Sequence, residues 1–307
     1  MRISVPDDYP AVLAPSAVYP ALTQRATLTY YDTLPVSEDD LIDRISLAEI
    51  VLNIRASSRF TARVFDSCPQ LRLLSIWGTG TDHVDLAAAE RCEVEIVTTP
   101  GVSARSIAEH TLALLFAVAR RIPALDRATR AGDWPRGRGV QLHGKTCGVI
   151  GYGAVGERFA QLAAAIGMRV KAWTLHPDRH AHMDFSALEE IYETCDVISL
   201  HLRLSPETAG MIGPAQFAAM KPGTILLNTA RGAIIDEAAL IESLTSGRLA
   251  GAGLDVFSAE PLPQHNPLLA LRNVVLTPHC AGITPEALEA GLRMAVENIW
   301  DWQEDNP

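Results

Sequence analysis

The sequence predicts an α/β protein with two domains, each built on a doubly wound parallel sheet. Short apolar runs alternate with helical stretches along most of the chain, which is the pattern of strands and helices in parallel sheets. The chain has 307 residues, which is long for a single hydrophobic core. The alternation also starts a second time after a loop rich in glycine, proline and arginine at residues 132–139. These three observations together favour two α/β domains.

The first series of predicted strands precedes residue 99. Its apolar runs are residues 3–5, 27–31, 50–54, 71–76 and 94–98. Predicted helices lie between them at residues 38–48, 59–67 and 84–91. The segment Thr99-Pro100-Gly101 then interrupts the chain before a long apolar helix at about residues 103–121.

The second series of predicted strands begins after Lys145. Its apolar runs are CGVIG, RVKAW, DVISL, TILLN, GAGLDV and NVVLT, with proline and glycine at the breaks between them. The last predicted helix, at about residues 285–301, has an apolar face formed by Leu288, Leu292, Ala295 and Ile299. It follows the second series in the chain, yet it could pack on the first domain.

Composition and charge narrow the class of protein. An apolar content of 48% and a charged content of 20% are ordinary for a globular enzyme. The net charge of −10 argues against a nucleic-acid partner. The first residues, MRISVPDDYP, do not predict a signal peptide, and apolar stretches such as 112–119 are too short to span a membrane. Five scattered cysteines without a C-x-x-C pair predict a cytoplasmic protein with neither disulfides nor a metal site.

A glycine-rich turn predicts a dinucleotide-binding site. Gly151, Gly153 and Gly156 follow the apolar strand 147–150 and precede a helix predicted at residues 157–166. The first glycine allows a tight turn, the second lets the backbone approach a pyrophosphate, and the third lets helix and strand pack closely. The backbone of Ala154 and Val155 would then face the phosphates. Such turns can also be purely structural, but the strand–turn–helix context favours binding of NAD or NADP.

The next predicted strand leaves the choice between NAD and NADP open. An acidic residue that binds the adenosine ribose is expected at its end, but Thr174 occupies that position. Without the negative charge a 2′-phosphate is not repelled, and His176 and Arg179 could attract one. Alternatively, Arg179 is a solvated surface charge and Asp178 binds the ribose after a shifted turn. This segment is compatible with either coenzyme.

Three short segments in the last third of the chain each place a polar side chain after a predicted strand. NTARG, SAEP and TPHC supply Arg231, Glu260 and His279. The carboxyl ends of parallel strands share one edge of the sheet, where ligands bind. Any one of these residues alone would more often be a buried or salt-bridged structural group. Together they predict a site that holds an oxo-acid and moves one proton.

The run from Asn228 to Gly282 resembles the D-isomer-specific 2-hydroxyacid dehydrogenase family almost element by element. The segments IWGTGTDHVDLAAAE, SIAEHTLALLFAVAR and LHLRLSPETAGMIG are similar to the same family, so the resemblance extends over nearly the whole chain. It implies two Rossmann/flavodoxin-like domains with the active site in the cleft between them. Residues 1–99 plus 283–307 would form the substrate-binding domain, and residues 100–282 the dinucleotide-binding domain.

The resemblance also implies roles for individual residues. His279 would be the general acid/base and Glu260 would bind its other ring nitrogen. Arg231 would polarise the substrate carbonyl and bind the carboxylate. Asp255 would bind the nicotinamide carboxamide, although an aspartate at a strand end can also simply cap the next turn. Further coenzyme contacts are expected from Thr229 and Ala230, and substrate contacts from Thr79, Gly80 and Arg55, the last of which could equally form a surface ion pair.

The function implied by the resemblance is NAD(P)-dependent hydride transfer to or from a small 2-oxo or D-2-hydroxy acid. Because the sequence ends at Pro307, without the regulatory domain of many phosphoglycerate dehydrogenases, a glyoxylate or hydroxypyruvate reductase is favoured. A homodimer is implied, with the helix around His110 and the Trp134 loop at the interface. We otherwise interpret Glu109 and His110 as polar helix positions outside the site. A non-enzymatic NAD-sensing, corepressor-like interaction protein and a formate dehydrogenase remain as alternatives.

Overall fold

The computed structural model describes residues 1–180 and 184–306. The chain divides into two compact units: unit 1 is Met1–Ser103 with Ile283–Pro307, and unit 2 is Ala104–Gly282. The sequence alone placed the first of these boundaries after residue 99. Within the described residues, each helix is too short or too polar to cross a membrane.

Strands and helices alternate along both units. In chain order the strands are β1 (Arg2–Val5), β2 (Thr27–Tyr30), β3 (Ile50–Asn53), β4 (Leu73–Ile76), β5 (Glu95–Thr98), β6 (Thr146–Ile150), β7 (Arg169–Trp173), β8 (Val197–Leu200), β9 (Thr224–Asn228), β10 (Leu249–Leu254) and β11 (Val274–Leu276). The α-helices are α1 (Tyr19–Arg25), α2 (Glu38–Ile45), α3 (Ala62–Ser67), α4 (Leu86–Arg91), α5 (Ala104–Ala119), α6 (Ile122–Arg130), α7 (Ala154–Ala165), α8 (Leu188–Thr194), α9 (Pro214–Ala219), α10 (Glu237–Thr245) and α11 (Pro285–Asp305). Short 3₁₀ helices occur at Pro177–His180, Gly232–Ile234 and Pro267–Ala270.

Unit 1 is built on a five-stranded parallel sheet of order β2-β1-β3-β4-β5. Helices cover both of its faces, as expected for strands such as β3 and β4 in which every residue is buried. Leu22 of α1 and Leu292 of α11 pack on one face, and Leu41, Phe65 and Ala88 of the other helices pack on the opposite face. The last helix therefore belongs to unit 1.

Unit 2 is built on a six-stranded parallel sheet of order β11-β10-β9-β8-β6-β7. Helices α5 and α7 pack on one face, and α8, α9 and α10 pack on the other. Glycines let α5 approach β10 closely, because a Cβ built on Gly253 would lie 2.9 Å from Leu114 Cβ. Both units are thus doubly wound parallel α/β structures, and the predicted fold class is confirmed.

Several helix boundaries differ from the sequence prediction, and two of them have a clear cause in the backbone. The long apolar helix ends at Ala119, because Arg121 is left-handed with φ 54° and a separate helix, α6, starts at Ile122. The helix after the glycine turn begins at Ala154, three residues earlier than predicted, with Gly153 as its N-cap. Both helix starts carry a local signal, since Pro123 lies in the first turn of α6 and glycine is a favoured N-cap residue.

Each sheet has one point at which the chain reverses its direction of travel across the strands. In unit 1 this point lies between β1 and β3, and in unit 2 it lies between β6 and β8. In open α/β sheets, ligands bind beyond the carboxyl ends of the strands at such points. Binding sites are therefore expected at the residues that follow β1, β3, β6 and β8.

Candidate active site

The glycine turn of unit 2 follows β6, at the reversal point of the sheet. Gly151 has φ 99°, a conformation that favours glycine, and a Cβ on Gly156 would lie 2.0 Å from the carbonyl oxygen of Gly151. A Cβ on Gly153, by contrast, would meet nothing within 4 Å. The first and third glycines are therefore required by close packing, whereas open space lies over the second. Helix α7 begins there with Ala154 and Val155, so its free N–H groups suit a pyrophosphate.

The segment after β7 lies on one side of this turn, since Trp173 pairs with Ile150 in the sheet. Thr174 comes next, and its Oγ1 accepts a hydrogen bond from the backbone N–H of His176 at 3.3 Å. Arg179 is exposed in the 3₁₀ helix Pro177–His180. A hydroxyl group and exposed cationic or titratable side chains thus follow β7.

His201 lies on the other side of the turn, directly after β8. Its backbone carbonyl would be 2.5 Å from a Cβ on Gly151, so the two segments are in close contact. The imidazole is partly buried, its Nε2 lies 2.8 Å from Ser199 Oγ, and its ring packs beside Phe159. Burial lowers the pKa of His201 to about 3, so this ring stays neutral at physiological pH. Sequence analysis did not identify this residue.

Asn228, the last residue of β9, shapes the turn that carries Arg231. Its Nδ2 donates to the carbonyl oxygen of Arg231 at 2.9 Å, and its Oδ1 accepts from the N–H of Ala230 at 3.0 Å. Thr229 Oγ1 lies 2.9 Å from Thr111 Oγ1 of α5. Arg231 Nη1 donates to the carbonyl oxygen of Ala230 at 2.8 Å. The turn is thus held by its own polar side chains, and it places Arg231 at the carboxyl edge of the sheet.

Glu260 and His279 form a direct pair at the same edge. Glu260 Oε2 lies 2.7 Å from His279 Nδ1, and Glu260 Oε1 accepts a hydrogen bond from the N–H of Phe257 at 2.9 Å. Burial raises the pKa of Glu260, but the hydrogen bonds from His279 and Phe257 and the positive charges of His279 and Arg231 outweigh it, so the net pKa is lowered. Glu260 is therefore ionised at neutral pH. Because Nδ1 faces the carboxylate, Nε2 is the nitrogen left to exchange a proton with a ligand.

The backbone of His279 is held by Asp255, the residue that follows β10. His279 has φ 51°, which is uncommon for a residue with a Cβ, and its N–H donates to the carbonyl oxygen of Asp255 at 2.8 Å. The Asp255 carboxylate accepts hydrogen bonds from the N–H of Cys280 at 3.0 Å and of Ala281 at 2.9 Å. The hydroxyl of Thr277 donates to the same carboxylate at 2.6 Å. Asp255 therefore fixes the segment on both sides of the histidine.

His110 of α5 also contacts this segment, a contact that the sequence did not predict. Its Nε2 lies 3.0 Å from Thr277 Oγ1 and 3.6 Å from Asp255 Oδ1. Possible metal-ligand atoms of His110, Asp255 and Cys280 all lie within 4.8 Å of one another. Both carboxylate oxygens of Asp255 already accept hydrogen bonds, however, and burial, with the nearby Asp255 charge, raises the pKa of the Cys280 thiol. These properties favour a hydrogen-bonded cluster over a metal centre.

The remaining predicted residues belong to unit 1. Arg55 lies two residues after β3, and its Nη2 donates to the carbonyl oxygen of Pro10 at 2.5 Å. Thr79 and Gly80 lie in the partly exposed loop between β4 and α4. All three residues thus follow carboxyl ends of strands within their own sheet.

Comparison with known proteins gives the same classification as the site residues. Residues 112–281 match the family described as D-isomer specific 2-hydroxyacid dehydrogenase, NAD binding domain. The chain is 34% identical over 309 residues to a glyoxylate reductase of Aeropyrum pernix, an alignment that covers 94% of this chain and 92% of the relative. The chain belongs to the D-isomer specific 2-hydroxyacid dehydrogenase family.

Two other proteins similar to this chain differ from the glyoxylate reductase in length or in activity. A D-3-phosphoglycerate dehydrogenase of Archaeoglobus fulgidus is 39% identical over 271 residues, which are 86% of this chain and 51% of that protein. This chain thus spans about half the length of the phosphoglycerate dehydrogenases that it matches. A solved structure of an acyclic imino acid reductase in complex with NADPH and D-Arg has a TM-score of 0.92 at 30% identity and covers 100% of this chain and 98% of that one.

Proposed function

We propose that this protein reduces a small 2-oxo acid, or oxidises the corresponding D-2-hydroxy acid, with NAD(H) or NADP(H). The observation that carries the proposal is the 2.7 Å contact between Glu260 and His279, at the same sheet edge as Arg231. The coenzyme would supply or accept the hydride. His279 Nε2 gives a proton to the 2-oxo oxygen during reduction and takes it back in the reverse direction. The Glu260 carboxylate stabilises the protonated ring and holds it in one orientation.

Arg231 is proposed to bind the two polar groups of the substrate. A guanidinium has donors in a planar fork, so it can contact a carboxylate and polarise an adjacent carbonyl at the same time. Arg55 and the backbone of Thr79 and Gly80 are proposed to bind the substrate carboxylate as well. We infer that the glycine turn at Gly151 holds the coenzyme pyrophosphate, since its free N–H groups and its open space suit that group. Thr174 and Arg179 would contact the adenosine ribose, and Thr229, Ala230 and Asp255 the nicotinamide end.

The role of His279 is tested by His279→Ala. General acid/base help is typically worth about 10²–10⁴-fold, so we expect kcat to fall by at least about 100-fold while the coenzyme still binds. Coenzyme binding is measured by the fluorescence of bound NADH or NADPH. An unchanged kcat with every accepted 2-oxo acid would exclude His279 as the proton donor.

The substrate and the coenzyme are identified by one spectrophotometric screen. Glyoxylate, hydroxypyruvate, pyruvate and phenylpyruvate are offered with NADH and with NADPH, and oxidation of the coenzyme is followed. The glyoxylate reductase relative supports the small 2-oxo acids, and the imino acid reductase bound to NADPH supports adding an amine to each assay. Formate with NAD⁺ completes the set, because reduction of NAD⁺ by formate would replace the proposed reaction.

We further propose a cytoplasmic homodimer. The five cysteines are all free, which supports a reducing compartment. Helix α6 buries none of its residues within one chain, and Ile122 and Trp134 are 52% and 77% exposed. A second copy of the chain that covers α6 and the Trp134 loop would bury this apolar surface. Sedimentation as a single species of monomer mass would rule out the dimer.

A further inference from the structure

Buried polar side chains lie at the reversal point of the unit 1 sheet, outside the residues assigned a role above. Asp7 follows β1, Asn53 ends β3, and the two strands are neighbours. Asp7 is 0% exposed and Asn53 is 1% exposed. Buried polar groups are costly unless they are hydrogen-bonded, so the contacts of these two residues indicate what they hold in place.

The Asn53 amide links three separate segments of the chain. Its Nδ2 donates to Asp7 Oδ2 at 2.5 Å and to the carbonyl oxygen of Arg55 at 2.9 Å, and its Oδ1 lies 2.8 Å from His83 Nε2. Asp7 Oδ1 accepts a further hydrogen bond from the N–H of Ile54 at 2.9 Å. The segments that follow β1, β3 and β4 are therefore tied together through one amide group.

Two of these segments carry the residues proposed to bind the substrate carboxylate. Arg55 lies in the segment after β3, and Thr79 and Gly80 precede His83 in the segment after β4. Arg55 is anchored at both ends, since Asn53 holds its carbonyl oxygen and its Nη2 donates to Pro10 in the segment after β1. A side chain fixed before binding loses less conformational entropy when the ligand arrives.

We propose that Asp7, Asn53 and His83 form a positioning network that holds the loops after β3 and β4 in the conformation that binds the substrate carboxylate. The inference rests on the proposed function, because it assigns these loops to the substrate. None of the three residues needs to touch the substrate. Their contribution acts through Arg55, Thr79 and Gly80.

The proposal predicts a loss of substrate affinity rather than of chemistry. Asp7→Asn sets two amide nitrogens against each other, because the N–H of Ile54 still requires the carbonyl oxygen of the new side chain. We expect KM for the 2-oxo acid to rise about tenfold, with kcat within about twofold and coenzyme affinity unchanged. The exchange Asp7→Asn with Asn53→Asp restores one donor and one acceptor across the 2.5 Å contact. It should therefore lower KM again only in part, because Asn53→Asp also removes the donor to the Arg55 carbonyl.

A matched control separates positioning from general stability. Ser75 is also buried in unit 1, and its Oγ donates to the carbonyl oxygen of Ala295 at 2.8 Å. Ser75→Ala should lower Tm without raising KM.

If Asp7→Asn does not fold, His83→Leu and His83→Gln replace it, since glutamine keeps an N–H donor for Asn53 and leucine does not. We expect the leucine variant to raise KM and the glutamine variant to stay near the parent.

Binding of oxalate, measured by calorimetry in the presence of coenzyme, gives a readout that does not depend on turnover. We expect its Kd to rise in Asp7→Asn by the same factor as KM. Variants that lose Tm but keep both KM and the oxalate Kd would overturn the positioning role. Failure of the proposed function has a different signature, because the parent protein would then reduce no 2-oxo acid in the screen, and the oxalate Kd would still decide the role of the network.

Discussion

Replacement of Glu260 by glutamine perturbs the proposed acid/base pair with almost no change in volume. The carboxylate now contacts His279 Nδ1 at 2.7 Å through Oε2 and accepts from the N–H of Phe257 through Oε1. A glutamine oxygen can replace Oε1, so its amide nitrogen must face Nδ1. A protonated imidazole also presents an N–H there, and the two donors oppose each other. The variant therefore disfavours the protonated ring that donates the proton.

The expected magnitude follows from the exposure of the pair. A hydrogen bond between charged partners contributes about 1.5–3 kcal/mol. The Glu260 and His279 side chains are 35% and 44% exposed, so water screens the contact and the lower value of about 1.5 kcal/mol applies. That free energy corresponds to about a tenfold loss of kcat/KM for reduction and a fall of about one unit in the apparent pKa of the pH–rate profile. The apparent pKa falls in the variant because the Glu260 carboxylate, which stabilises the protonated imidazole, is no longer present.

The assay is the pH dependence of kcat/KM for the best 2-oxo acid, recorded for both proteins from about pH 5 to 9. Glu207→Gln is a suitable control, since Glu207 is an exposed carboxylate of unit 2 that accepts a hydrogen bond from Ser205 Oγ at 2.6 Å. We expect this control to match the parent. Profiles that superimpose for Glu260→Gln and the parent would refute the pairing as a functional interaction.

Two further variants test the residues that support the site. Asp255→Asn turns an amide nitrogen towards the N–H of Cys280 or Ala281, so we expect a loss of about 1–3 kcal/mol of unfolding free energy together with a lower kcat; an unchanged Tm and kcat would contradict this role. His201 has its pKa lowered by burial from 6.5 to about 3 in the folded state. Its contribution to stability is therefore complete above about pH 6.5 and is lost as the pH falls from about 6.5 towards 3. His201→Gln should remove this part of the acid dependence in thermal unfolding, and identical pH dependence in both proteins would show that the ring does not stay neutral.

The sequence predicted the strands of the site well, because each is an apolar run that ends at a polar residue. The ends of β9, β10 and β11 at Asn228, Leu254 and Leu276 precede Arg231, Glu260 and His279 as expected. The glycine turn was predictable for a similar reason. Gly156 is required by its close approach to Gly151, and Gly151 is favoured by its own positive φ of 99°, so their spacing is a local signal.

Contacts between distant residues could not be predicted in the same way. His110 and Thr277 meet across a separation of 167 residues, and Asn53 and Asp7 across 46. Neither pair has a periodicity or a motif, because helix packing brings the first pair together and strand pairing the second. The sequence suggested a contact to the coenzyme for Asp255. The structure adds that its carboxylate binds the loop of His279, which only the backbone geometry of that loop could indicate.

The backbone of His279 allows a last test that does not depend on the substrate. A φ of 51° costs a residue with a Cβ about 1–2 kcal/mol, whereas glycine adopts it freely. His279→Gly and His279→Ala both remove the imidazole, so their kcat values should be equally low. The greater freedom of the unfolded chain lowers the unfolding free energy of the glycine variant by about 0.5–1 kcal/mol. Relief of the backbone cost outweighs this loss, so the glycine variant is more stable than the alanine variant by up to about 1 kcal/mol. The glycine variant should therefore unfold up to about 2–4 °C higher. Equal Tm values would mean that the loop relaxes in the alanine variant, and that Asp255 does not hold the histidine against a backbone cost.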